Sequence, residues 1–543
     1  MVLLAPFAIL VLAMLGLALC LWRRLPYAGL VAALGVGGAW LSALSWSFQL
    51  PLRFSLSEWP FAQVGAAGLV LRLDGLGWIT AMAHLSLSLL IVLTGFARPG
   101  GQRIRVRMAA LLLIYAGLAV FLADDLLTRL FAWSGLDLIV FVVYALLARG
   151  EALPLQAVRQ FSFNALASGL VILGVVIAQP IAGQVAIGSA SASPWTAILF
   201  VAAAAFRLGL FPFHIGVPMA AETRQGLAVL LRLVPALAGF EWLFRLTGPG
   251  FAPDVRLWIT ALGVIAAWVG SVQVWNSVTA RDTLPSLVVA FSGIAALASQ
   301  GGGLPALVPL ALALTLGAGL LFLAHGFDAH RRWLTVFPAV GLAALTGVPG
   351  TPGFLVLTEM AGAARALSGM AWLVVGAGVV AWVVLSAGLW RVLVWPAEPL
   401  QGGRVGLGLH VGGLTLGVVL VLFTGVASSL LSIVTGIKTF ELSEADAPNL
   451  IAAAGLSLII VGLGFGLWRA ENITRSALDQ WSRTGVAALV GPAMRWDGLF
   501  RLIWWILAGL SRLVGAGVAV LEGAGGPLWV LAFIVAVALA FRP

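Results

Sequence analysis

The sequence predicts an all-α, polytopic membrane protein with about 14–16 transmembrane helices, each needing about 20 apolar residues. Three observations carry that expectation. Hydrophobic residues make up 62% of the 543 and charged residues only 9%, against about 25% charged in soluble domains. Mean hydropathy is +1.09. Apolar runs of spanning length recur along the whole chain. Together they exclude disorder, a disulfide scaffold and a large water-soluble catalytic domain.

In chain order the runs fall at approximately 2–22, 27–48, 74–96, 107–123, 126–148, 160–180, 193–213, 226–246, 257–278, 284–300, 304–325, 334–363, 369–390, 409–434, 449–468 and 527–541. The first is long enough to span and ends at Arg23-Arg24, so it is read as a span and not as a cleaved signal. If the runs alternate across the bilayer, one side receives Arg23, Arg24, Arg98, Arg103, Arg105, Arg107, Arg149, Arg281, Arg331, Arg332, Arg391, Arg404, Arg469 and Arg475. The other side takes Asp124, Asp125, Asp254, Glu441, Glu444 and Asp446. Cytoplasmic loops collect basic residues, so the arginine side is placed in the cytoplasm and the N-terminus outside. The net charge of +10 has its cause there and does not imply nucleic acid. Of 30 basic residues only Lys438 is lysine. Cys20 stands alone, which excludes an intrachain disulfide and a cysteine-ligated cluster.

Two spans are interrupted. One carries Phe211-Pro212-Phe213-His214 with Gly216 and Pro218; the other carries Gly347-Val348-Pro349-Gly350-Thr351-Pro352-Gly353. Proline removes a backbone donor and clashes with the preceding turn, and freed backbone groups in a bilayer need protein or water partners. Discontinuous helices are expected at about 207–235 and 341–363. They lie five spans apart and so point opposite ways, which suggests an inverted repeat with a pathway at each break. The tail differs: 496–522 mixes Asp497, Arg501 and Arg512 with tryptophan and leucine, and is expected to lie in the membrane interface. The organisation expected is N-terminal helices over 1–106, half-repeats over 107–256 and 257–400, further spans over 401–495, and a lateral helix with a final span over 496–543.

Several stretches resemble one family, the antiporter-like, proton-conducting subunits of respiratory complex I, membrane-bound hydrogenases and Mrp antiporters. Leu71-Arg72-Leu73-Asp74-Gly75-Leu76 resembles the LDGLS that opens the family's third helix. Leu122-Ala123-Asp124-Asp125-Leu126-Leu127 with Phe131-Ala132-Trp133 is similar to the junction of its fourth and fifth. Phe211-Pro212-Phe213-His214 with Pro218 and Ala220 resembles its broken seventh. Ala290-Phe291-Ser292-Gly293-Ile294 resembles AYSSI, and Gly347-Val348-Pro349 to Gly353-Phe354 its broken twelfth. The order and spacing hold over residues 70–360; the C-terminal third matches only in hydropathy.

The resemblance implies a relay of lysines and glutamates, and here the chain departs from it. The fifth-helix glutamate position holds Ser134, and the nearest acid is Asp137, on about the same helix face. The seventh-helix lysine falls at Arg207. The eighth falls near Leu237 or Ala238, between Arg232 and Glu241. The eleventh-helix histidine and lysine fall at Leu314 and Ala318, and the twelfth-helix charge at Leu357, two residues before Glu359. A relay needs groups that gain and lose a proton; buried lysine does so and arginine stays charged.

The pathway candidates are therefore Asp137, Arg207, His214, Arg232, Glu241 and Glu359, because an ionisable group inside a span is expensive. Asp137 with Arg207 reads as a structural pair or as half of a relay. Glu241 with Arg245, one turn apart, reads as a salt bridge near a membrane edge. His84 and His410 read as packing residues. No pattern holds a metal, nicotinamide, flavin or cluster, so no cofactor is expected and any redox chemistry belongs to partner subunits. The expected function is that of a non-catalytic antiporter-like subunit of an ion-translocating, NADH-quinone oxidoreductase-type complex in the inner (cytoplasmic) membrane, its own proton pathway impaired or remodelled. The expected partners are other membrane subunits and lipid. The alternatives are an active proton or sodium channel with a relocated relay, and a membrane subunit of an inorganic-carbon uptake complex.

Overall fold

The computed structural model describes residues 2–56, 69–98, 104–147, 152–182, 194–210, 213, 225–247, 253–277, 279–301, 303–324, 332–366, 371–395, 400, 403–437 and 447–470. Among them, thirteen helices are long and apolar enough to cross a membrane, and Trp195–Leu208 and Arg332–Thr346 are shorter apolar helices. The polytopic helical reading holds. The expected interfacial helix at 496–522, the final span at 527–541 and His214 lie outside the described residues.

Helices α1 (Ala5–Arg23) and α2 (Ala28–Ser45) form an antiparallel pair. The one ladder among the described residues follows, a departure from the purely helical expectation. Strand β1 (Leu52–Leu56) pairs antiparallel with β2 (Leu69–Leu73), in the register Leu52 to Leu73 and Phe54 to Leu71. Val70 fastens this hairpin to the next helical corner. Its N–H donates to Asp125 Oδ2 at 3.2 Å and Thr128 Oγ1 at 2.9 Å, and its carbonyl accepts from Asp124 N at 3.1 Å.

Asp74 ends the strand and starts α3 (Gly75–Thr94). Its backbone is extended and its carboxylate accepts from Gly77 N at 2.8 Å, which satisfies a donor that a helix start leaves free. There follow α4 (Ile104–Leu122), α5 (Leu126–Leu147), α6 (Ala152–Ala182), α7 (Pro194–Leu208) and α8 (Gln225–Thr247). Then come α9 (Pro253–Asn276), α10 (Ala280–Gly301), α11 (Gly303–Leu312), a π-helical turn at Ala313–Gly317 and α12 (Ala318–Ala324). The last group is α13 (Val336–Thr346), α14 (Pro352–Ala366), α15 (Ala371–Val394), α16 (Arg404–Val426), α17 (Ser428–Thr435) and α18 (Ala447–Arg469). The spanning parts of α8 and of the α11–α12 helix are wholly buried and make the centre of the bundle. Small residues bring α9 and α10 together: a Cβ on Gly293 would lie 2.2 Å from the backbone N of Ala267. Close backbone approach of this kind suits helix association in lipid, where no hydrophobic force separates helix from tail.

Both expected breaks occur, and one differs in extent. Between α13 and α14 the chain turns through Gly347, at φ 78°, and Gly350, at φ 84°. Proline opens α14, where its missing N–H costs nothing. Thr351 Oγ1 donates to Val348 O at 2.7 Å, and Trp382 Nε1 donates to Leu345 O at 2.8 Å. At the other break α7 stops at Leu208 and Gly209 takes φ 63°. The discontinuous helix expected over about 207–235 overlaps α8, which is a full span that passes through Pro235 unbroken. The π-helical turn at Ala313–Gly317 is a further irregularity that periodicity does not reveal.

The break at 347 yields a prediction. A left-handed backbone costs a non-glycine residue about 1–2 kcal/mol. A Cβ on Gly347 would also meet Leu357 Cδ1 at 2.6 Å, whereas on Gly350 its nearest neighbour is 3.8 Å away. Gly347→Ala should therefore lower the thermal unfolding midpoint of the purified protein more than Gly350→Ala does. Equal shifts would show that the clash carries no weight.

Candidate ion pathway

Helix α5 positions the site. Arg129, Trp133, Asp137 and Tyr144 recur at helical spacing and are all buried, so one face of an apolar helix carries a stripe of charge and aromatic rings. Helices α6, α7 and α8 supply partners to that stripe.

Asp137 and Arg207 meet as expected. Arg207 Nη2 donates to Asp137 Oδ2 at 2.8 Å and Nη1 to Oδ1 at 3.2 Å, the two-pronged geometry that a planar guanidinium allows. Two polar residues of α6 complete the shell: Asn164 Nδ2 donates to Asp137 Oδ1 at 2.9 Å, and Arg207 Nη2 donates to Ser168 Oγ at 3.1 Å. The guanidinium also lies over the Trp133 ring, 3.8 Å from its centroid. Asp137 is 4% exposed and Arg207 6%.

Glu241 departs from expectation. It does pair with Arg245 one turn on, but it is wholly buried inside the protein. It is also bound by Arg129 of α5, a residue that sequence reasoning did not single out. Arg129 Nη2 further donates to Ala123 O at 2.6 Å, which ties α5 to the end of α4. Arg245 Nη1 reaches Asp74 Oδ2 at 3.2 Å. Asp74, Arg245, Glu241 and Arg129 thus form one alternating chain of charge. It leads from a part-exposed helix start into the interior and joins α3, α5 and α8. Trp242 continues it: its ring is 5.6 Å from Arg129 Cζ and 5.2 Å, edge to face, from the Trp133 ring. The available signal for Arg129 was its place two turns before Asp137 on one face, with Trp133 between.

Arg232 of α8 is 5% exposed, and its guanidinium stands 5.6 Å from the Tyr144 ring. Among the described residues, its Nη1 and Nη2 and the Tyr144 hydroxyl have no hydrogen-bond partner. Glu359 is half-buried on α14 and makes no ion pair among the described residues. The positions where the resemblance implies titratable groups, Leu237, Ala238, Leu314, Ala318 and Leu357, are apolar and buried. Leu314 lies in the π-helical turn. His84 Nε2 donates to Ile114 O at 3.0 Å and His410 Nδ1 to Thr94 O at 3.1 Å, so both pack against helix carbonyls. Among the described residues, no group of three or more His, Cys, Asp or Glu side chains could hold a metal.

Burial separates two substitutions in the charge chain. Glu241→Gln leaves Arg129 and Arg245 facing each other without a carboxylate, and breaking a buried pair costs about 3–5 kcal/mol. Asp74→Asn keeps an acceptor for Gly77 and removes only a part-exposed pair, with its side chain 27% exposed, a class worth about 0–1 kcal/mol. Thermal unfolding of the two variants should rank them in that order.

No family model matches the sequence. The chain is similar to NADH-quinone oxidoreductase subunit N of Thiobacillus denitrificans, with 25% identity over 286 residues, covering 45% of this chain and 58% of that protein. It is similar to the subunit N of Laribacter hongkongensis, with 27% identity over 353 residues, covering 56% and 71%. The match thus spans little more than half the length of the first relative. The fold is that of a chain in the Mrp complex from Dietzia sp., with TM-score 0.73 and 20% identity over 95% of this chain and 62% of that one. It is shared with a chain of the membrane-bound sulfane sulfur reductase, an archaeal respiratory membrane complex, with TM-score 0.69 and 19% identity over 99% of both. A chain of respiratory complex I from Thermus thermophilus superposes with TM-score 0.62 and 22% identity, over 79% of this chain and 98% of that one. Together with the motif order along the sequence, these likenesses support the resemblance to the antiporter-like membrane subunits of complex I and Mrp complexes.

Proposed function

We propose that the chain is an antiporter-like subunit of a complex I-like, ion-translocating membrane complex, and that its own pathway in the N-terminal half is locked. The Asp137–Arg207 pair carries this proposal. Relay chemistry needs a group that releases its proton, and arginine keeps its own. Here the arginine is clamped by two bonds to Asp137, a third to Ser168 and an aromatic face. Leu237 and Ala238 offer nothing to receive a proton beyond it. In this role the chain performs no redox chemistry and serves as a structural or coupling subunit. Its partners are other membrane subunits and lipid, and its place is the inner (cytoplasmic) membrane.

The proposed half-repeats, 107–256 and 257–400, have support in a shared detail. In each, a tryptophan of a later helix donates its indole N–H to a carbonyl of the helix that ends at the break: Trp242 of α8 to Phe200 O of α7 at 3.1 Å, and Trp382 of α15 to Leu345 O of α13 at 2.8 Å. Interrupted helices need such outside donors and acceptors. The tail over 496–543 is proposed to dock against a neighbouring subunit. If so, its deletion should loosen assembly, and unchanged copurification with partner subunits would count against it.

The main test is Asp137→Asn in the reconstituted complex. Leaving Arg207 without its carboxylate should cost about 3–5 kcal/mol and reduce assembly, while ion pumping per assembled complex changes little. Normal assembly with abolished pumping would replace the locked pathway by an active relay.

A further inference from the structure

Among the described residues, the buried charges of the N-terminal half do not cancel. Asp137 neutralises Arg207, and Glu241 with Asp74 neutralises Arg129 with Arg245. Arg232 is left over. It is as deeply buried as the others, none of the five salt bridges among the described residues includes it, and both terminal nitrogens lack a partner among them. Its companion is the Tyr144 ring, which attracts a cation through its face without neutralising it. On α5, Tyr144 lies seven residues beyond Asp137, about 10 Å along the helix axis. Arg232 precedes Glu241 by nine residues on α8. The bare charge therefore sits at one end of the polar column, on the far side of Asp137 from the Arg129–Glu241 cluster.

We infer that Arg232 is an electrostatic barrier that keeps cations from passing along the α5–α8 column. A fixed positive charge in a low-dielectric pore wall repels protons and metal cations, as arginine does in pores that exclude them. Its repulsion reaches well past contact: a unit charge about 10 Å away, at an effective dielectric near 20, disfavours a cation by about tenfold. The role goes beyond the locked Asp137–Arg207 pair, since it concerns passive leak and not pumping.

Passive proton entry decides the matter, measured in liposomes holding the full complex, a trapped pH dye and a potassium diffusion potential, with no electron donor. Arg232→Gln removes the charge, and Tyr144→Glu neutralises it in place by setting a carboxylate beside the guanidinium. Each should raise proton entry per assembled complex by about tenfold, with Arg232→Lys, which keeps a cation, closer to the unsubstituted complex. Assembled Gln and Glu variants that leak no faster than the unsubstituted complex would overturn the barrier, and so would Lys and Gln variants that leak equally. Should Arg232→Gln fail to assemble, Tyr144→Glu alone decides by the same reading. Pumping in Asp137→Asn tests the locked pair separately, so either conclusion can fail without the other.

Discussion

An arginine in a membrane interior cannot shed its charge, and that constraint organises the N-terminal half of this protein. Arg207 must be met by a carboxylate, so α5 brings Asp137 to it. Residues of α6 then supply an amide and a hydroxyl, and Trp133 supplies an aromatic face. Three helices are thereby held in one register. Were the residue lysine, burial would lower its hold on the proton and the same arrangement would suit transfer. With arginine it suits retention.

The same rule extends outward along α5. Arg129 sits between Glu241 and the last carbonyl of the α4 corner, and Arg245 carries the alternation to Asp74 at the start of α3. Asp74 also caps its helix and follows the β-hairpin directly. The hairpin, the helix start and the buried network therefore depend on one another, and a change at Glu241 reaches the surface through two ion pairs. Among the described residues, Arg232 is where the rule is not met, and an unmet charge in a membrane span marks either a fault or a use.

In the second half the backbone is irregular where the side chains are largely apolar. The helix breaks at Gly347–Thr351, and a π-helical turn occupies Ala313–Gly317. Such turns leave backbone carbonyls that neighbours must satisfy. The residues there are Leu314, Ala318 and Leu357, all buried. Glu359, half-buried on α14, is the carboxylate that follows the break.

Much of this was legible in the sequence. Apolar runs of spanning length dictate the helices, because backbone groups in lipid must be satisfied within their own segment. Proline and glycine at 211–218 and 347–353 dictate that two helices stop. Arg207 and Asp137, each too costly alone in a span, point to each other. The rest belongs to tertiary structure. Arg129, inside the run 126–148, carries no mark of the Glu241 that the fold brings to it across 112 residues. The leucine-rich hairpin is too short for its alternation to stand out. Arg232 and Arg207 have the same chemistry in the sequence, and only packing decides that one finds a carboxylate and the other a tyrosine ring. A residue's type sets what burial will demand of it; which neighbours can answer depends on helices far apart in the chain.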